Sequence, residues 1–138
     1  MKIPTLLFLL FFFLSSCSIN IPPQGLGPDA EIVSQALNLQ LTQIESKLSQ
    51  KLKLPIPEFS VSNIKIKSTT PTYLADLATY HLKGSYNLKL KQARKIVIQK
   101  NNFFDLFVQR QTEGKTWRLL QNDGKQWSSY LIERTKKS

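Results

Sequence analysis

The fold is set by residues 29–52, which read DAEIVSQALNLQLTQIESKLSQKL. Apolar side chains recur there at intervals of three or four residues, and the stripe consists of Val33, Leu37, Leu41, Ile44, Leu48 and Leu52. This period is that of an amphipathic helix that buries one face. Asp29 can cap the start of the helix, and Pro55 and Pro57 cannot continue it. The pattern predicts one helix of about 23 residues, which must pack against a broad partner.

Residues 78–91, ATYHLKGSYNLKLK, predict a strand because apolar and polar side chains alternate along them. One face carries Tyr80, Leu82, Tyr86, Leu88 and Leu90, and the other carries Thr79, His81, Lys83, Ser85, Asn87, Lys89 and Lys91. Gly84 interrupts the apolar face at mid-strand, where glycine most often marks a bend or a bulge. Such a bend would let the sheet curve around the helix.

The other strand patterns lie on both sides of this segment. A first strand is predicted from Phe59 to Ile66, with a bulge near Ser62 and Asn63 where the alternation slips. The residues TTPT, 69–72, separate it from the next strand. Further strands are predicted around Ile96 and Ile98, and at 103–111, 116–121 and 127–132. The order predicts an α+β fold, in which one long N-terminal helix packs on a curved antiparallel sheet of four or five strands.

This order is similar to the cystatin-like and NTF2-like architectures, in which a curved sheet wraps a long N-terminal helix. The resemblance covers residues 29–132, and its best local piece is QRQTEGKTWRL at 109–119. NTF2-like domains usually have two or three helices before the strands, whereas one is found here, and the cystatin loop Gln-x-Val-x-Gly is missing. The resemblance therefore implies an architecture and no functional residue.

Composition excludes several kinds of chemistry. The chain of 138 residues has one Cys and one His, so it can form neither an intramolecular disulfide nor a Cys-based zinc site. Its nine acidic residues are scattered, and its glycines form no phosphate-binding loop. The sequence therefore predicts no metal, no cofactor and no enzymatic activity.

The first 17 residues read as an export signal. Lys2 precedes an uncharged apolar run from residue 3 to residue 14, which is too short to span a bilayer. The following Leu14-Ser15-Ser16-Cys17 resembles the lipobox of bacterial lipoprotein precursors. The resemblance implies lipid attachment to Cys17 and cleavage between Ser16 and Cys17. An ordinary signal peptide, or an uncleaved anchor with an incidental Cys, is the alternative.

The leader predicts how the rest of the chain is organised. After a signal peptide at 1–16, residues 17–28 are rich in Pro and Gly and would form a flexible tether, followed by one domain at 29–134 and a basic tail at 135–138. Two or three acyl chains would hold this domain at a membrane surface. The expected location is the periplasmic side of an envelope membrane or the cell exterior, and Ser18 favours the outer membrane over the inner one in Gram-negative families.

Two side chains are candidates for proton transfer. His81 lies on the polar face of the best strand, and imidazole is the side chain that most commonly moves protons near neutral pH. The alternative is an exposed His beside lysines, which is favoured because no acidic residue lies near it in sequence. Asp105 falls between Phe103 and Phe107, so burial in a concave pocket would make it a base of the kind that some NTF2-like isomerases use. The favoured alternative is an exposed carboxylate paired with Lys100 or Arg118.

The strongest remaining signal is basic, because the formal net charge is +10. The residues predicted to bind are Lys83, Lys89, Lys91, Arg94 and Lys95, with Lys65, Lys67 and Lys100 nearby and Trp117 as an aromatic contact. Such a surface fits anionic headgroups, a cell-wall polymer or an acidic protein, whereas nucleic acid is not expected outside the cell. A solvated face that keeps a small protein soluble is an equal alternative.

These patterns favour a non-catalytic, membrane-anchored binding or assembly module that docks an acidic partner through a basic sheet face. A second hypothesis is a carrier or sensor of a small hydrophobic ligand in a cone between helix and sheet. Aromatic residues could line its mouth, although they are more often core: Tyr80, Tyr86, Phe104, Trp117, Trp127 and Tyr130. A pocket isomerase or dehydratase that uses Asp105 is the third.

Overall fold

The computed structural model describes residues 20–135, and the leader, Cys17 and residues 136–138 lie outside this range. A short 3-10 turn, Gln24–Leu26, precedes the helix α1 (Ala30–Leu52). The strands are β1 (Glu58–Leu74), β2 (Leu77–Gln92), β3 (Lys95–Arg110), β4 (Trp117–Asn122) and β5 (Trp127–Ile132). They form one antiparallel sheet in the order β1-β2-β3-β4-β5. The predicted α+β fold, one helix packed against an antiparallel sheet, is confirmed with five strands.

Helix α1 begins at the cap predicted from the sequence and ends before Pro55, as expected. The Asp29 carboxylate accepts a hydrogen bond from the Ile32 amide at 2.9 Å, which satisfies one of the free donors of the first turn. At the other end Lys53 adopts a left-handed conformation, and its amide donates to the Ser49 carbonyl. Arg134, beyond β5, lies 3.0 Å from the Asp29 carboxylate and 3.1 Å from that of Glu31. These contacts tie the start of the helix to the end of the chain.

The strands have very different lengths, and this divides the molecule into two halves. Strands β1, β2 and β3 contain 17, 16 and 16 residues, whereas β4 and β5 contain six each. We call the end where α1 begins the proximal end; the β1–β2 turn and residues 111–116 also lie there. The distal end holds the C-terminus of α1, the start of β1 and the β2–β3 turn. Strand β4 pairs only with Phe107–Arg110 of β3, so the distal half of the sheet contains three strands.

The core occupies the proximal half and the middle of the molecule. Five helix side chains are buried there, namely Ile32, Val33, Ala36, Leu37 and Leu41. They belong to one cluster with sheet residues that include Tyr80, Leu82, Leu106, Val108 and Leu119. The second half of the predicted stripe behaves differently, because Ile44, Leu48 and Leu52 are 46%, 45% and 62% exposed. Only the first half of the helix has the broad partner that its sequence demands.

Strand β1 confirms one expectation and corrects another. The predicted bulge is present, because the register shifts between Ser62 and Lys65 and Asn63 has a φ of 51°. A second shift lies between Ile66 and Ser68. The expected break at residues 69–72 is wrong, since the strand continues through Pro71 to Leu74. Proline is tolerated on an edge strand such as β1, because the N–H groups that face away from β2 make no ladder bond.

The segment before α1 lies on the domain. Pro22 is fully buried, and the Pro23 carbonyl accepts a hydrogen bond from the Tyr80 hydroxyl at 2.8 Å. Burial raises the pKa of Tyr80, so its hydroxyl keeps the proton that makes this bond. Gly27 is close enough that a Cβ would touch the same ring at 3.5 Å. The predicted tether, residues 17–28, is therefore docked from Pro22 onward.

Gly84 is required where the β1 bulge approaches the core. A Cβ at this position would overlap the Lys65 carbonyl oxygen and lie 2.6 Å from the Phe104 ring. The glycine thus lets the bulged strand and an aromatic ring close over the same point of β2. This is the close approach that a glycine inside a strand usually marks.

Replacing Gly84 by Ala should therefore force the β1 bulge and Phe104 apart. We expect the free energy of unfolding to fall by about 1 to 3 kcal/mol, as is usual for overpacked cores. Urea unfolding at neutral pH measures the change. Gly25→Ala is the matched control, because a Cβ at Gly25 meets nothing within 4 Å. Equal stabilities of the two variants would contradict the packing described.

The Asp29 carboxylate should make the free energy of unfolding depend on pH in the acidic range. Its hydrogen bond to the Ile32 amide, helped by Arg134, holds the pKa of Asp29 below the ordinary 3.8. A lowered pKa stabilises the folded state fully above pH 3.8, and this stabilisation is lost as the pH falls through the folded value. Asp29→Ala should cost about 1 kcal/mol at pH 7. Asp29→Asn keeps a capping oxygen without the charge, so its deficit relative to wild type should shrink in acid. A constant deficit in urea titrations at about pH 7 and about pH 3 would contradict this role.

Candidate docking face on the open side of the sheet

The strand register assigns each side chain to one of two faces. Tyr80, Leu82 and their cross-strand partners face α1. The alternate residues form what we call the outer face, on the side of the sheet away from the helix. There His81 is opposite Phe107, Lys83 is opposite Asp105, and Ser85 is opposite Phe103.

The lysines predicted to bind are partly brought together. Lys83, Lys89 and Lys91 alternate along β2 on the outer face, and Lys65 lies opposite Ser85 on the same face. Arg94 and Lys95 are exposed in and beside the β2–β3 turn at the distal end. The cations therefore extend from the middle of the outer face to the distal end. Cys17 and Ser16, predicted for lipid attachment and cleavage, lie outside the described residues.

Trp117 is not part of this surface, and its assignment as a binding residue is corrected. Its side chain is 5% exposed, and its ring lies 5.9 Å from that of Tyr80 in the core. The reason is parity, because Trp117 pairs with Ile132 on the helix-facing side of the sheet. Trp127, which pairs with Asn122, lies on the outer face and is 44% exposed.

His81 and Asp105 form a hydrogen-bonded pair that no local sequence pattern predicted. His81 Nε2 lies 2.7 Å from one Asp105 oxygen, and Lys83 Nζ lies 4.0 Å from the other. Lys100 and Arg118 are the partners that the sequence predicted for Asp105, but neither fills this role. Arg118 instead donates hydrogen bonds to Ser129. The two residues are 24 positions apart, but the register makes them diagonal neighbours on adjacent strands.

Aromatic rings extend this pair into an ordered row. The His81 ring stacks on Phe107 at 4.0 Å with an interplanar angle of 9°, and Trp127 meets Phe107 edge-on at 5.1 Å. The side chains of His81 and Asp105 are 25% and 57% exposed, so water reaches the pair. An enclosed acid–base site excludes water to strengthen its electrostatics, and this arrangement does not. Its preordered rings and charges suit recognition of a molecule that covers the face.

Phe103 is the most unusual member of the outer face. It is 80% exposed, and Lys67 Nζ lies 4.9 Å from the centre of its ring. Beside it is a groove of about 450 Å³, lined by Lys67, Ser68, Lys83, Gly84, Phe103, Phe104 and Asp105. The groove offers an apolar floor with two cations at its rim. The strand alternation could have assigned Phe103 to the outer face, since Phe104 and Leu106 fill the opposite parity.

Two structural findings apply to the described part of the chain. No group of three His, Cys, Asp or Glu side chains among residues 20–135 could hold a metal ion. In the same range, no helix combines the length and the apolar character needed to cross a membrane.

The two tryptophans should report the two faces separately. In a Trp117→Phe variant, the remaining Trp127 should be quenched readily by iodide, because it is exposed on a basic face that attracts anions. In a Trp127→Phe variant, the buried Trp117 should be protected. Caesium should quench Trp127 less than iodide does, and salt should reduce the difference. Equal quenching of the two variants would contradict the assignment of faces.

Comparison of the chain with protein-family models, with curated proteins and with solved structures returned no match. The resemblances to lipoprotein precursors and to the cystatin-like and NTF2-like architectures therefore stay predictions. What the outer face can bind follows from its own contacts, exposure and charge.

Proposed function

We propose that the protein is a membrane-anchored envelope lipoprotein that works as a non-catalytic binding or assembly module. In this proposal the outer face docks an acidic partner protein, with Phe103 as the apolar anchor and the surrounding lysines as the charged rim. The observation that carries the proposal is the 80% exposure of Phe103 beside Lys67 and Lys83.

Exposure of this ring is unfavourable unless something covers it. A buried Phe contributes roughly 1.5 to 3 kcal/mol relative to an exposed one, so leaving Phe103 in water forgoes stability. Exposed aromatic residues flanked by polar groups are typical of interaction sites, where a few large side chains supply most of the binding energy. Trp127 and the stacked pair of Phe107 and His81 extend the aromatic surface.

The charge of the face favours an acidic partner. The cations on or beside it are Lys65, Lys67, Lys83, Lys89 and Lys91. Its two carboxylates are already engaged, since Asp105 contacts His81 and Lys83, and Glu58 lies 3.4 Å from Lys91. A surface with this excess of positive charge attracts acidic proteins and repels basic ones, mainly through the rate of encounter.

The anchor is the part of the proposal that depends on the sequence alone. Leu14-Ser15-Ser16-Cys17 supports lipid attachment at Cys17. Because Pro22 is buried, only four residues separate Cys17 from the domain, and they reach at most about 17 Å. The anchor would therefore hold the proximal end close to the membrane and leave the outer face accessible from the side.

The architecture belongs to the same proposal. Bulges in β1 and the close approach at Gly84 support a curved sheet, because both features bend strands. A curved sheet against a helix is the arrangement that the cystatin-like and NTF2-like resemblance implies.

The ligand-carrier hypothesis receives less support. Of the six aromatic residues expected at its mouth, four are buried and packed in the core cluster with the helix, namely Tyr80, Tyr86, Phe104 and Trp117, whereas Trp127 and Tyr130 are exposed. For an isomerase or dehydratase that uses Asp105, the open position of the carboxylate is unfavourable, because a substrate would react in contact with water. Docking therefore remains the function that the geometry supports best.

The proposal is tested by cross-linking in intact cells, followed by purification through a C-terminal tag and mass spectrometry. Phe103→Ala with Lys83→Glu should reduce recovery of one acidic protein at least tenfold, because both the anchor and a rim charge are lost. The matched control is Leu26→Ala with Lys115→Glu, which also truncates one exposed apolar side chain and reverses one lysine charge, but away from the outer face. Cys17→Ser should abolish recovery by releasing the protein from its membrane.

The outcomes separate the hypotheses. Recovery should also fall when the cells are washed in about 0.5 M salt, since exposed charge contacts are screened there. A lipid or small molecule recovered without any protein would overturn the docking proposal in favour of the carrier. Equal recovery with the outer-face and control variants would overturn the assignment of the face.

A further inference from the structure

The distal end brings together three segments that are far apart in sequence. Helix α1 ends at Leu52, residues 53–57 connect it to β1, and β1 begins at Glu58. Glu58 is opposite Lys91, the last outer-face lysine before the β2–β3 turn. The last turns of the helix, the connection and the turn thus share one end of the molecule, opposite the end where the chain enters.

This end is strongly basic. Its cations are Lys47, Lys51, Lys53, Lys89, Lys91, Arg94 and Lys95. Glu45 and Glu58 are the only carboxylates in the same segments of sequence. Among residues 20–135, the one ion pair that any of these cations makes is between Lys91 and Glu58, at 3.4 Å. Most of the positive charge is therefore directed at solvent rather than at the protein itself.

Aliphatic side chains are exposed among these cations. The group is Leu48, Leu52, Leu54, Ile56, Ile96 and Ile98, and each is between 45% and 62% exposed. Ile44 and Leu48 also line a groove with Lys47 and Lys51 on the helix surface. The fold explains the exposure of four of these side chains. Leu48 and Leu52 are exposed because β4 and β5 end before this half and α1 continues past its buried residues. Leu54 and Ile56 are exposed because they lie in the connection that leaves the helix.

The composition of the distal end distinguishes a lipid from a protein partner. Protein interfaces are enriched in aromatic residues, as the neighbourhood of Phe103 and Trp127 illustrates. The distal cluster has six lysines, one arginine and six exposed aliphatic residues, and none of its exposed large apolar side chains is aromatic. Lysines beside leucines and isoleucines are the combination with which surface-bound helices and loops enter the headgroup region.

We propose that the distal end is a second membrane-binding site, which recognises the surface of an anionic phospholipid bilayer. The aliphatic side chains enter the boundary between headgroups and acyl chains, and the lysines and Arg94 lie at the level of the phosphates. Lys89 and Lys91 also border the outer face, whereas Phe103 and Trp127 are not part of the distal end, and the site does not involve the Cys17 anchor. Helix α1 has 23 residues and so places about 34 Å between its two ends.

The test uses residues 17–138 with Cys17→Ser, so that no acyl chain contributes to binding. The core cluster consists of residues within 20–135, so this chain carries the whole folded domain. Its partition is measured by co-sedimentation with vesicles of phosphatidylcholine alone and with vesicles that contain about 30% phosphatidylglycerol. We expect binding to the anionic vesicles at least tenfold stronger than to the neutral ones.

Two variants of equal net charge locate the site. Lys51→Glu with Lys95→Glu reverses charge at the distal end, whereas Lys115→Glu with Lys125→Glu makes the same change in the β3–β4 and β4–β5 turns. The distal pair should reduce partition at least tenfold and the control pair less than about threefold. Leu52→Gln with Ile56→Gln should also reduce partition, because it removes apolar insertion and keeps every charge. All six positions are exposed, so thermal unfolding should show each variant folded.

Any one of four results would overturn the proposal. Equal partition to neutral and anionic vesicles would show that charge does not contribute to binding. Equal losses of partition in the two charge-reversed pairs would show that the whole protein is attracted without a specific site. Unchanged binding of the Leu52→Gln, Ile56→Gln variant would show that these aliphatic side chains do not insert into the bilayer. If vesicles do not bind, but the distal variants lose a protein recovered from cells, the distal end is a protein interface and the docking face extends to it.

Discussion

The contact between the first turns of α1 and one face of the sheet is the interaction on which the rest of the structure depends. Five helix side chains are buried there against side chains of β2, β3 and β4, namely Ile32, Val33, Ala36, Leu37 and Leu41. The helix thereby covers the apolar face of these strands. The opposite face of the sheet has no covering layer among the described elements. Because β4 and β5 are short, the same contact also ends before the helix does. An open outer face and an exposed distal end are both consequences of this limited packing.

Local patterns in the sequence were sufficient for most of the fold. The 3.6-residue period of α1, its Asp29 cap and the alternation along β2 depend on neighbours within a few positions, and each is found in the structure. The bulge near Asn63 and the special position of Gly84 were also recognisable, because each breaks a local pattern. The shared face of Lys83, Lys89 and Lys91 follows from strand parity alone.

What could not be predicted depends on contacts between distant segments. The His81–Asp105 pair requires the register of β2 against β3, and no local pattern specifies that register. The alternation along β4 does not show which face of the strand packs against the helix. The burial of Trp117 could therefore not be predicted from the sequence. Residues 69–72 resemble a turn, but as an edge strand they pair with β2. The exposure of Ile44, Leu48 and Leu52 depends on the lengths of β4 and β5, which the helix sequence does not contain.

Two surfaces of different chemistry therefore follow from one packing constraint: an aromatic and basic outer face, and an aliphatic and basic distal end. In the proposed function, an acidic protein covers the outer face in the cell. The most direct measurement places a photoreactive phenylalanine analogue at Phe103, irradiates intact cells and identifies the adduct by mass spectrometry, with the same analogue at Leu26 as the control. We expect one acidic protein to be joined at Phe103 and to be absent at Leu26. No adduct at Phe103, or the same adducts at both positions, would contradict it.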